Sequence, residues 1–143
     1  MLTTLRTLLG VLGLSAILIA LSILLLGAET TAGSAERVFA ALAGWRGAPS
    51  GPWPPTMDSE LRFYAALWGA YGALLIVTAW RWPDGSRWVP WLAAVFFAGG
   101  VGRAISYVAI GAPHPFFSLL MWIELLLPPV LVALWWRWAR PPA

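Results

Sequence analysis

A chain of 143 residues that is 60% hydrophobic and 10% charged, with a mean hydropathy of +0.77, is too apolar for an ordinary soluble domain, in which about 25% of residues are charged. Its net charge of +3 comes from arginine alone and is spread over loops and helix ends instead of forming a stripe, so no nucleic-acid partner is expected. The absence of cysteine excludes disulfides, haem attachment motifs and thiolate metal sites. The single histidine, His114, has no second imidazole with which to share a transition metal, and no cofactor is expected.

About 20 apolar residues span a bilayer, and four such runs appear: Thr7 to Gly27, Leu61 to Trp80, Val89 to Ile110 and Phe116 to Trp136. They predict an all-α membrane protein, a four-transmembrane-helix bundle forming one domain over 1–143. The first run is longer than the apolar stretch of about 7 to 15 residues in a signal peptide, so it reads as a retained helix. Arg6, Arg81, Arg87, Arg137 and Arg140 fall on one side of these spans and Arg37 and Arg46 on the other. Positive residues stay inside, which predicts cytoplasmic termini. Trp80, Trp82, Trp88, Trp91, Trp135, Trp136 and Trp138 cluster at that same end, as headgroup-level aromatic rings do.

Between the first two helices lies an outer loop, residues 28–60. Within it "SAERVFAALAGW" places Val38, Phe39, Leu42 and Trp45 on one helical face, with Ser34 as N-cap; this predicts a short outer amphipathic helix. The Pro- and Gly-rich stretch after it is irregular until Asp58 or Ser59 caps the second helix. That helix opens with "DSELRFY", which sets Asp58, Glu60 and Arg62 at the outer interface and Tyr64 deeper. Arg62 either snorkels outward or reaches down towards the third helix. "RWPDGSR" is a tight turn, so the second and third helices are expected to be antiparallel neighbours.

The third helix carries Arg103 seven residues before Ile110, about 10 Å deep at 1.5 Å per residue. In the fourth, Glu124 lies eight residues beyond Phe116, about 12 Å deep. An ionised group at mid-span costs about 2.5–3.5 kcal/mol on insertion scales, so two such groups at one depth should face inward and pair. Gly99, Gly100, Ser106 and Tyr107 share or flank the face of Arg103. Pro128 and Pro129 remove the N–H donors that Glu124 and Leu125 carbonyls would otherwise have. Small residues at every fourth position, Ala65, Gly69 and Ala73, then Ala94, Ala98 and Gly102, with Gly10 and Gly13 in the first helix, suit close helix packing.

The run "DSELRFY", then "GGVGRAISY" followed by "GAP", then a glutamate followed by "PP" resembles an uncharacterised family of small four-helix bacterial membrane proteins, a domain of unknown function. The resemblance implies a bacterial inner-membrane location and a shared polar set at Glu60, Arg62, Gly99, Gly100, Arg103, Ser106, Gly111, Pro113 and Glu124. It implies no activity.

These residues predict a polar pocket in the outer half of the bundle. Its ligand-binding residues are Glu60, Arg62, Tyr64, Gly99, Gly100, Arg103, Ser106, Tyr107 and Glu124, with Trp68 and Trp122 lining its apolar part. The expected role is binding a membrane lipid or other amphiphile, or serving as an accessory subunit, in a homo-oligomer or larger membrane complex. The alternatives are an enzyme acting on a lipid-like substrate with Glu124 or Glu60 as acid or base, and a small proton-linked transporter. No nucleophile accompanies the first, and no internal repeat supports the second.

Overall fold

The computed structural model describes residues 2–139, all helix, turn or irregular chain with no strand among them. The helices are α1 (Leu2–Leu26), α2 (Ala28–Ala43), α3 (Pro55–Trp80), α4 (Val89–Ala109) and α5 (Pro115–Ala139), with a 3-10 turn at Asp84–Trp88 before α4. Four segments are long and apolar enough to cross a membrane: α1, α3, α4 with its preceding turn, and α5. Each is 25 or 26 residues long, roughly 38 Å of helix against a hydrocarbon layer of about 30 Å. Their outward faces are strongly apolar, with Leu18, Leu25 and Val108 exposed, as suits contact with lipid.

α1 and α3 form the closest pair. Gly13 faces the Gly72 carbonyl, where an added Cβ would stand 2.6 Å away, and Gly69 faces Ala20. Arg6 Nε donates to the Ala79 carbonyl at 2.9 Å. The matched positions fall along α1 as they rise along α3, so the pair is antiparallel. Small residues let the backbones touch, and dispersion and packing hold helices together where lipid is as apolar as the side chains.

α4 and α5 make the second close pair, with Gly100 seated on Glu124 and Leu125. The two pairs join mainly at the end where α1 begins and α5 ends, hereafter the terminal end. There Leu5, Leu9, Tyr71, Leu75, Val89, Leu92, Phe96 and Leu131 form one core. α3 and α4 therefore meet through large side chains and not backbone to backbone. Tyr71 donates its hydroxyl to the Leu92 carbonyl at 2.8 Å, and Trp68 lies 5.1 Å from Tyr71 and 5.9 Å from Phe96, centre to centre.

Several expectations need correction. The segment after α1 turns helical at Ala28, six residues before Ser34, and Ser34 is no cap; it accepts a hydrogen bond from Arg37 at 3.0 Å. The break between α1 and α2 is the single residue Gly27, at φ 87°, a left-handed conformation that glycine adopts without steric cost. α3 starts at Pro55, where the missing N–H costs nothing in the first turn, so neither Asp58 nor Ser59 is its cap. In α4 the repeat Ala94, Ala98, Gly102 is exposed. The packed stripe is Leu92, Ala93, Phe96 and Gly100, shifted in phase because the rotation of a helix is set by its largest buried side chains. Ala73 and Gly10 likewise lie outside the α1–α3 contact. Arg140 falls outside the described residues.

Candidate functional site

The apolar stripe of α4 reaches Phe96 and Gly100, then continues as Arg103 one heptad after Phe96. The stripe of α5 runs through Met121, Glu124, Pro128 and Leu131, with Phe117 one heptad before Glu124. Glu124 therefore stands on the buried face of α5, and Arg103 lies where the buried stripe of α4 runs out into an exposed face, a consequence of the 3.6-residue period. Arg103 Nε donates to Glu124 Oε2 at 2.8 Å. The side chains are 40% and 9% exposed, respectively. The Arg103 guanidinium carbon also lies 5.9 Å from the centre of the Phe117 ring, within the range of a cation–π contact.

Glycine makes this pairing possible. A Cβ on Gly100 would stand 3.0 Å from the Glu124 backbone and Cβ, and one on Gly99 would stand 3.7 Å from Glu124 Oε2. The bare position at Gly100 lets α5 come close enough for the carboxylate to lie along α4, whereas a side chain at Gly99 would make only ordinary contact with it. α5 continues as helix through Pro128 and Pro129.

α3 leaves this end of α4 uncovered. Trp68 is the last α3 side chain on the aromatic cluster, and Tyr64, one turn further out, is exposed and stands edge-on to Phe63. On α4 every residue from Val101 to Ala109 except Ala104 is exposed, Ser106 and Tyr107 included. Arg103 thus presents its outer edge to an open face between α3, α4 and α5. Arg103 uses one of its five N–H groups on Glu124. Its two terminal nitrogens have no protein acceptor among the described residues.

Arg62 does not join this group. It donates from Nε to Asp58 Oδ2 at 2.7 Å and from Nη1 to the Leu24 carbonyl, while Asp58 Oδ1 accepts the Ala28 N–H at 3.1 Å. Together they clamp the end of α1 and the start of α2. The i,i+4 spacing of Asp58 and Arg62 was the available signal for it. Glu60 is exposed on the same turn. Trp122 is exposed and about 160° around α5 from Glu124, so it lines no part of the Arg103 face. Gly111 takes φ 126° in the link between α4 and α5, and Pro113 is exposed there.

A second polar cluster escaped the sequence reading. Glu36 on α2 is 1% exposed, and its Oε2 accepts the Ser50 N–H at 2.9 Å. Beyond it on α2, Phe39 meets the ring of His114, which Trp45 also touches at 4.1 Å. His114 accepts the Phe116 N–H on Nδ1 at 3.1 Å, capping α5. α2 is thereby tied across the end of the bundle opposite the terminal end. Among the described residues no three His, Cys, Asp or Glu side chains gather as a metal site. Residues 4–136 match a protein family described as a domain of unknown function, DUF4345. No curated protein and no solved structure matches the chain.

Proposed function

The chain belongs to the DUF4345 family, and from that premise we propose that it is a multi-pass protein of the bacterial inner membrane which binds a lipid-like or amphiphilic ligand at Arg103. In this reading the termini are cytoplasmic and α2 is an amphipathic helix at the outer surface. The distribution of charge supports it: Arg6, Arg81, Arg87 and Arg137 stand at the terminal end with Asp84 as the acid among them, and the other five acidic residues lie in the α2 half.

One observation carries the proposal. The terminal nitrogens of Arg103 face an uncovered part of a membrane span without a protein acceptor, and hydrocarbon offers none. A polar group left unsatisfied there costs several kcal/mol, so a ligand oxygen is the natural acceptor. A carbonyl or anionic oxygen meets the guanidinium, Glu124 holds the guanidinium in place, and Tyr64, Trp68, Tyr107 and Phe117 give apolar surface to the rest of the molecule. Few convergent polar groups in an apolar setting is the usual form of a ligand site.

Native mass spectrometry of the protein released from its own membranes in mild detergent tests this, beside the double variant Arg103→Leu/Glu124→Leu. Removing both charges leaves no unpaired ion, and such replacements are often neutral or stabilising, so the variant is expected to fold. A discrete mass on the wild type that the folded double variant lacks is the expected result. A bare wild-type chain, or equal retention by the two proteins, overturns the proposal.

A further inference from the structure

At the opposite end of the molecule, a groove of about 490 Å³ lies between α1 and α3, lined in part by Thr3, Arg6, Thr7, Gly10, Ile76 and Trp80. Sites for small molecules run to about 300–1,000 Å³. The hydrogen bond from Arg6 Nε to the Ala79 carbonyl uses one of the last-turn carbonyls that α3 cannot satisfy itself. It also holds the Arg6 side chain against the part of the groove wall that Ala79 and Trp80 line. The terminal nitrogens of Arg6 have no acceptor among the described residues, and two threonine hydroxyls stand on the same stretch of α1. A planar guanidinium with free N–H groups matches the paired oxygens of a phosphate.

Deeper along α1 the groove changes character. A Cβ at Gly10 would meet nothing within 4 Å, so the track beside Ile76 is open. Arg6 to Gly10 is one helical turn, about 6 Å, which carries the groove from headgroup level into the apolar layer. Seven of the 11 tryptophans stand at this end, as an interfacial belt does. The four described arginines here against one acid disfavour a headgroup that carries its own ammonium.

We propose that this groove binds one anionic glycerophospholipid, with its phosphate on Arg6 and the Thr3 and Thr7 hydroxyls and one acyl chain in the track past Gly10 and Ile76. The site is separate from the Arg103 face and does not depend on what binds there.

The test is native mass spectrometry of the purified chain in mild detergent, titrated with phosphatidylglycerol, phosphatidylcholine or inorganic phosphate. One phosphatidylglycerol per chain is expected on the Arg103→Leu/Glu124→Leu chain, where the Arg103 face no longer contributes, with phosphatidylcholine held more weakly and inorganic phosphate unable to displace the lipid. Arg6→Gln should weaken phosphatidylglycerol about fivefold, the worth of one arginine near a charged surface. Gly10→Leu should weaken it as well by filling the track, and it leaves Arg6 and its bond to Ala79 in place. Equal binding of the two lipids overturns the proposal, as does displacement by inorganic phosphate. Undiminished binding to a folded Gly10→Leu chain overturns it even where Arg6→Gln fails to fold.

Discussion

Gly10 and Gly13 stand one turn apart on the same apolar helix, and their environments differ in a way that makes alanine a clean probe. At Gly13 a Cβ would stand 2.6 Å from the Gly72 carbonyl oxygen and 2.8 Å from Ile76 Cγ1, whereas at Gly10 it meets nothing within 4 Å. Ordinary contact begins near 3.4 Å, so Gly13→Ala must part α1 from α3 by about 0.8 Å at that point, and the obstacle is backbone that cannot swing aside. A radial gap of about 0.5–1 Å forfeits a quarter to a half of each dispersion contact it opens, which here includes those of Ala16 with Gly72 and Ala20 with Gly69. Overpacking of this kind costs about 1–3 kcal/mol. Alanine also raises helix propensity by about 0.8–1.0 kcal/mol over glycine, but that gain is common to both variants and cancels when they are compared. Gly13→Ala is therefore expected to be about 1–3 kcal/mol less stable than Gly10→Ala, with Gly10→Ala at or above wild type. Equilibrium unfolding by SDS in mixed micelles, followed by circular dichroism, measures the difference. Equal stabilities would refute the close α1–α3 approach and with it the register derived from Gly13, Gly72, Gly69 and Ala20.

Gly100→Leu has to displace the Glu124 backbone, which stands 3.0 Å from the added Cβ, while Gly102→Leu enters open space; the first is expected to cost about 1–3 kcal/mol more than the second and to lose any mass bound at Arg103, read by unfolding and native mass spectrometry. Arg62→Gln removes the hydrogen bonds to Asp58 and the Leu24 carbonyl and is expected to speed amide exchange at Ala28 and through the first turn of α2, with exchange in the middle of α4 unchanged; hydrogen exchange by mass spectrometry reads both.

Glu124 as the partner of Arg103 was legible in the sequence because two rigid helices convert residue number into depth, and because an unpaired charge at that depth is too costly to persist. The open face beside the pair was not legible. It depends on α3 packing tightly against α1 and meeting α4 only through Trp68, Tyr71 and Phe96, a choice between neighbours that no single helix records. Arg62 shows the same limit from the other side. Its spacing from Asp58 was visible, but its second partner, the Leu24 carbonyl, lies 38 residues away in the chain.

By itself, then, the sequence determined the four apolar spans, the tryptophan-rich and arginine-rich end, and the pairing of its two deepest charges, because hydropathy and helical rise act locally and need no neighbour. Tertiary structure completed the start of α2, where Gly27 permits the break and Asp58 on α3 supplies the acceptor for the Ala28 N–H. It also decided which small-residue stripes touch and which face of α4 stays open. Those outcomes follow from the relative rotation of packed helices, which the fit of the largest side chains sets and which no periodicity within one helix encodes.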